Sequence, residues 1–222
     1  MNILQKLALS WEHLPLTKRE WILVQITIAA CYVLALYIQF QHLTIFNTNL
    51  QTAIFFIPAA VRVFSVIVFG YWAGLGIAVG TLIHDSIFNV AGITSLEMGG
   101  IAAEQGLVVS SSLLVWALVS KKVSGLGAPE IDFDRIDALD VLVMCLIQAV
   151  INSTAGHIFF AWSPTIQQQF DPYYYAVMLV GDVTGAFFVF ITANLVFSAL
   201  LRAGVISRKR FQDSLDQRTS VA

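Results

Sequence analysis

Long apolar runs recur along most of this chain, and no other feature constrains its fold as strongly. A bilayer core of about 30 Å is crossed by a helix of about 20 apolar residues. The first run starts at Trp21 and occupies residues 21–40. The next, from Thr52 to Phe88, is too long for one crossing and sufficient for two. The sequence GYWAGLG, Gly70 to Gly76, is its natural break, which places spans at 52–69 and 72–90. Three more are read at 98–119, 140–161 and 174–201. Only helices or closed barrels satisfy every backbone polar group in lipid. The expected fold class is therefore all-α, a polytopic transmembrane helical bundle of six spans.

Composition agrees. Of 222 residues, 58% are hydrophobic and 12% charged, whereas soluble domains carry about 25% charged residues. The net charge of −2 decides nothing, because in a membrane the position of each charge matters more than the sum. Three segments are expected: a cytoplasmic N-terminal segment at 1–20, the transmembrane domain at 21–201, and a cytoplasmic tail at 202–222 with no output domain after it. Ile3, Leu4, Leu7 and Trp11 stand at helical spacing before Pro15, as in a short helix lying on the membrane surface. Charges at Lys6, Glu12, Lys18, Arg19 and Glu20 interrupt any signal-peptide core. Cys31 and Cys145 lie inside apolar runs without metal-ligand spacing, so no metal site or cofactor is expected from them.

Basic residues set the orientation, since cytoplasmic loops retain them. Eleven of the twelve Lys and Arg precede span 1, lie between spans 4 and 5, or follow span 6. The intervening outer loops contain none. Both ends are thus expected inside. Trp21, Trp72 and Trp116 then fall near the inner interface, and Trp162 with Tyr173, Tyr174 and Tyr175 near the outer one. Small residues four apart predict close crossings of spans 3, 4 and 6: Gly70 with Gly74, Gly76 with Gly80, Ala102 with Gly106, and Gly181 with Gly185. Pro58 is expected to start or kink a helix.

The twelfth basic residue, Arg62, sits inside span 2, and intramembrane polar groups are expensive enough to need a reason. Others are His84, Asp85, Glu104, Gln105, Gln148, Asn152, His157, Asp182 and Asn194. Most fall at similar depth in the outer half. Arg62 at mid-bilayer calls for a carboxylate, and Glu104 and Asp182 are both at matching depth. Three readings stay open: a salt-bridge network that only fixes the fold, an outward-facing cavity for a small polar or anionic ligand anchored by Arg62, or a proton or ion path. In the cavity reading the site residues are Arg62, Asp85, Glu104, Asn152, His157 and Asp182. His84 and Asp85 are chain neighbours and are not expected to share a helix face. No nucleotide-binding, nucleophile-elbow or zinc-protease motif occurs, so no enzyme is expected.

The segment FIPAAVRVFSVIVFGYWAGLGIAVGTL, residues 56–82, resembles the signature stretch of MASE1-type integral membrane sensory domains. The likeness rests on Pro58, Ala59, Ala60, Gly70, Tyr71, Trp72, Gly76 and Gly80, with Arg62 at a basic position found in part of that family. GDVTGAFFVF, residues 181–190, resembles its closing helix through Gly181, Asp182 and Gly185. Members commonly have about eight spans and a fused output domain, so here the resemblance implies a ligand-sensing module that works through a separate protein. The architecture is also similar to the substrate-binding S components of energy-coupling-factor vitamin transporters. The expected function is a sensory or regulatory module of a prokaryotic inner membrane. Its expected partners are the bilayer, a small polar ligand and a separate signalling or transport protein, with no nucleic acid. A transporter subunit is the first alternative and a structural membrane subunit the second.

Overall fold

A computed structural model describes residues 17–47, 53–88, 92–120, 138–165 and 170–202. The expected interfacial helix before Pro15, the 120–139 loop from Lys121 to Asp137, and the tail beyond Arg202 lie outside these residues. Among the described residues six α-helices follow one another: α1 Lys18–Gln41, α2 Pro58–Phe69, α3 Ala73–Phe88, α4 Ser95–Ser120, α5 Ala138–Trp162 and α6 Pro172–Arg202. Four of them, α1, α4, α5 and α6, contain stretches long and apolar enough to cross a membrane. Their polarity is inverted relative to a soluble protein. Ile22, Ile26, Leu34, Leu107, Ile158 and Leu195 are exposed, while Arg62, Gln39, Gln148, Asn152 and Asp182 are buried. Apolar side chains outside and polar ones inside fit a lipid surround.

Two compact units are distinguished, one up to Phe187 and one from Phe188 onward. Within the first, α3 packs along both α1 and α4, and α4 along α5. α2 touches α1, α3, α4 and α5. The described part of the second unit is helical to Arg202, with Phe188, Leu195 and Val196 exposed.

The glycine pairs act where backbones meet. A methyl group on Gly74 would clash with the Gly106 carbonyl and the Ser110 hydroxyl, and one on Gly106 would lie 2.8 Å from the Gly74 carbonyl oxygen. On its other side, α3 meets α1: a methyl on Gly76 would be 2.7 Å from Ile28 Cβ, and one on Gly80 2.9 Å from the Ala29 carbonyl oxygen. The predicted crossings of α3 and α4 are therefore backbone to backbone. Gly70 has another role. Its φ of 68° and ψ of −153° lie where only glycine is comfortable, and it turns α2 through the short 3₁₀ turn Gly70–Trp72 into α3.

Span 2 departs from expectation. It was read as helical over 52–69, but helix begins only at Pro58, and residues 53–57 are not helical. Proline inside a continuous helix would lose one hydrogen bond and press its ring on the carbonyl four residues back; at the first helical position it costs neither. The non-helical backbone is satisfied elsewhere. Phe56 N donates to the Gly181 carbonyl at 3.0 Å, the Thr184 hydroxyl donates to the Ile54 carbonyl at 2.8 Å, and Ile57 N donates to Gln39 Oε1 at 3.1 Å. Gly181 and Gly185 make room: a methyl on either would strike the carbonyl of Ala53 or Phe56. The close contact predicted for span 6 is thus with a non-helical stretch of chain, not with another helix.

α4 starts at a clasp. Glu97, only 5% exposed, accepts from the Thr94 amide at 2.9 Å and the Thr94 hydroxyl at 2.8 Å, closing a capping box. It also accepts from the Ser163 hydroxyl, from Thr165 N at 2.9 Å and from the Thr165 hydroxyl at 2.8 Å, beyond the end of α5. One carboxylate therefore ties two helix ends together. Glu97→Ala is expected to lower stability by about 2–3 kcal/mol, since it removes a cap and leaves donors unmet. Chemical unfolding of the detergent-solubilised chain measures this.

Candidate functional site

The break before α2 leads directly into the polar centre. Arg62, one turn into α2, is completely buried at 0% exposed. Its Nη1 donates to Gln105 Oε1 at 2.8 Å and to Asn152 Oδ1 at 2.6 Å. Its Nη2 donates to Asp182 Oδ1 at 2.6 Å. Asp182 is thus the partner carboxylate. Its second oxygen accepts from Asn152 Nδ2 at 2.7 Å. Phe56 completes the enclosure, with its ring centroid 5.6 Å from the guanidinium carbon.

Glu104 joins indirectly. Gln105 Nε2 donates to Glu104 Oε2 at 2.8 Å and to Asn152 Oδ1 at 2.9 Å. Gln105 Oε1 also accepts from the Tyr32 hydroxyl at 3.1 Å. Both donors of the Gln105 amide and both lone pairs of its oxygen are engaged. The network thus draws Tyr32 from α1, Arg62 from α2, Glu104 and Gln105 from α4, Asn152 from α5 and Asp182 from α6.

Two atoms are left over. Among the described residues, Arg62 Nε and Glu104 Oε1 are buried without a hydrogen-bond partner. A buried unpaired acceptor costs about 1–3 kcal/mol, and more when charged.

Of the six expected site residues, the structure joins Arg62, Glu104, Asn152 and Asp182 in one network. Asp85 and His157 make their hydrogen bonds elsewhere. Asp85 Oδ1 bonds His84 Nδ1 at 2.9 Å. Adjacent side chains near the C-terminal end of α3 can curl toward each other without sharing a helix face. The His84 ring stacks near Phe40 and Phe88, with centroids at 5.8 and 5.0 Å. His157 Nδ1 donates to the Ser153 carbonyl at 2.9 Å, and its ring lies 5.5 Å from those of Phe170 and Tyr175. Among the described residues, no group of three or more His, Cys, Asp or Glu gathers with metal-binding geometry.

Gln105 stands among the intramembrane polar residues of the sequence but outside the six expected site residues, and Tyr32 and Gln39 are in neither set. Gln105 is the most connected member of the network. Its position next to Glu104 on a helix otherwise rich in apolar and small residues was the available signal. Tyr32 gave none, because one tyrosine in a span reads as ordinary packing.

Comparison with known protein families, characterised proteins and solved structures finds no match to this chain.

Proposed function

We propose that this chain is a six-span sensory or regulatory module of a prokaryotic inner membrane, with both ends in the cytoplasm. It binds a small polar ligand from the outer side, at the network around Arg62, and acts through a separate partner protein. The observation that carries this reading is the buried network itself, an arginine and two acids gathered with amides and a tyrosine from five helices. Intramembrane ionisable groups facing the bundle mark functional sites by default.

The count of six needs α2 and α3 as spans although both are short, at 12 and 16 residues. Lys18 and Arg19 at the start of α1, and Arg202 at the end of α6, then lie on the inner side. The MASE1-type resemblance supports the sensory assignment, because Pro58, Arg62, Gly181, Asp182 and Gly185, which carry it, are the residues that build the break and the ion pair.

One alternative is a substrate-binding subunit of a transporter, since the sequence is also similar in architecture to vitamin-transporter S components. Affinity purification of the tagged full chain from its native membrane separates the two. Recovery of a kinase or response regulator in stoichiometric amount is the expected result. Stoichiometric recovery of an ATPase module assigns the chain to transport instead.

A further inference from the structure

The network is sealed unevenly. Arg62, Asn152 and Asp182 are 0%, 4% and 4% exposed. Glu104 and Gln105, on α4, are only part-buried. The side of the network that carries Glu104 is therefore the less enclosed one.

The charge count points the same way. Arg62 is neutralised by Asp182, and its two terminal nitrogens are already donating to three side chains. An anion can reach Arg62 only at Nε, which is sealed with the rest of that side chain, or by displacing these acceptors and lying beside Asp182. Glu104 differs in being part-buried as a residue: no described cation is within ion-pair distance of it, and its buried, inward-turned Oε1 has no donor. A donor that reaches this oxygen satisfies an orphan acceptor and leaves the Arg62–Asp182 pair closed.

We infer that the ligand of this site is cationic, a small amine whose ammonium group docks on Glu104 Oε1 while the Arg62–Asp182 pair stays closed behind it. This rests on the proposed ligand-site reading and names the ligand's chemical class. Glu104 is then the anchor, Gln105 orients the carboxylate through Oε2, and Arg62 holds the floor of the site.

The test uses the full chain in lipid nanodiscs and reads its thermal unfolding midpoint, with sodium chloride as the ionic-strength control. Methylammonium chloride at saturating concentration is expected to raise the midpoint by about 5 °C. Sodium acetate is expected to leave it unchanged, and E104Q is expected to lose the methylammonium response. Should E104Q fail to fold, E104D keeps the charge but withdraws the carboxylate by one methylene, and the response is expected to weaken several-fold. An equal methylammonium response in wild type and either variant overturns the assignment to Glu104. A midpoint that varies with pH through Glu104 but ignores methylammonium means that only a proton binds, and overturns the amine. A response to acetate alone overturns the cationic class while leaving the ligand-site reading intact. No response to either ion overturns both.

Discussion

Arg62→Leu is expected to destabilise the chain by about 3–5 kcal/mol, because it strands the Asp182 carboxylate in a buried site. The same substitution leaves one Gln105 lone pair and one Asn152 lone pair unfilled. Asp182→Leu alone is expected to be as harmful, by stranding the guanidinium. The double variant Arg62→Leu with Asp182→Leu is expected to recover much of the loss, since two apolar groups replace two charges in place of one charge being orphaned. Reversible unfolding in mixed micelles gives the four stabilities of this cycle. A double variant no better than the worse single one would show that the pair matters less than the amides around it. Folded double variant that no longer responds to ligand would locate the pair in the site; one that responds normally would confine the pair to the scaffold.

Gly181→Ala is expected to be nearly as damaging, at about 3 kcal/mol, although it adds a single methyl. That methyl would overlap the Ala53 carbonyl, which is backbone and cannot rotate away. Relief requires residues 53–57 to lift from α6, which breaks the Phe56 N to Gly181 carbonyl bond and exposes polar backbone to hydrocarbon. Gly99→Ala is the control. Gly99 lies within α4 with nothing inside 4 Å of the added carbon, so alanine there is expected to be neutral or to stabilise by up to about 1 kcal/mol. Comparing the two unfolding free energies separates a close-contact glycine from an idle one. Equal effects would remove the close approach at Gly181 as an explanation.

Much of the helical framework was legible because lipid leaves so few alternatives. Helices over 18–41, 95–120, 138–162 and 172–202 enclose the runs read at 21–40, 98–119, 140–161 and 174–201. They extend past them because caps, not hydropathy, set helix ends. The capping boxes Thr17 to Glu20 and Thr94 to Glu97 were readable as Thr-x-x-Glu, yet a hydropathy window discards such polar flanks. The break before Pro58 was harder to see, because residues 53–57 are as apolar as a helix would be. What unwinds them is a pair of glycines more than 120 positions away, and a local pattern carries no such information. The ion pair was half legible: depth limited the partners of Arg62 to Glu104 and Asp182. Choosing between them depends on which face of α4 turns inward, and there Gln105 occupies the position next to the guanidinium.

The glycine crossings also divide the mechanical labour of the first unit. α1, α3 and α4 are locked rod against rod, with no compressible side chain at Gly74, Gly76, Gly80 or Gly106 to take up a shift. They make a keel that moves as one piece or not at all. α2 hangs beside this keel on a glycine swivel at one end and a strip of uncoiled chain at the other, steered by an arginine in between. On the proposed ligand-site reading, a solute that alters the grip of that arginine would be read out as travel of one short rod against three fixed ones.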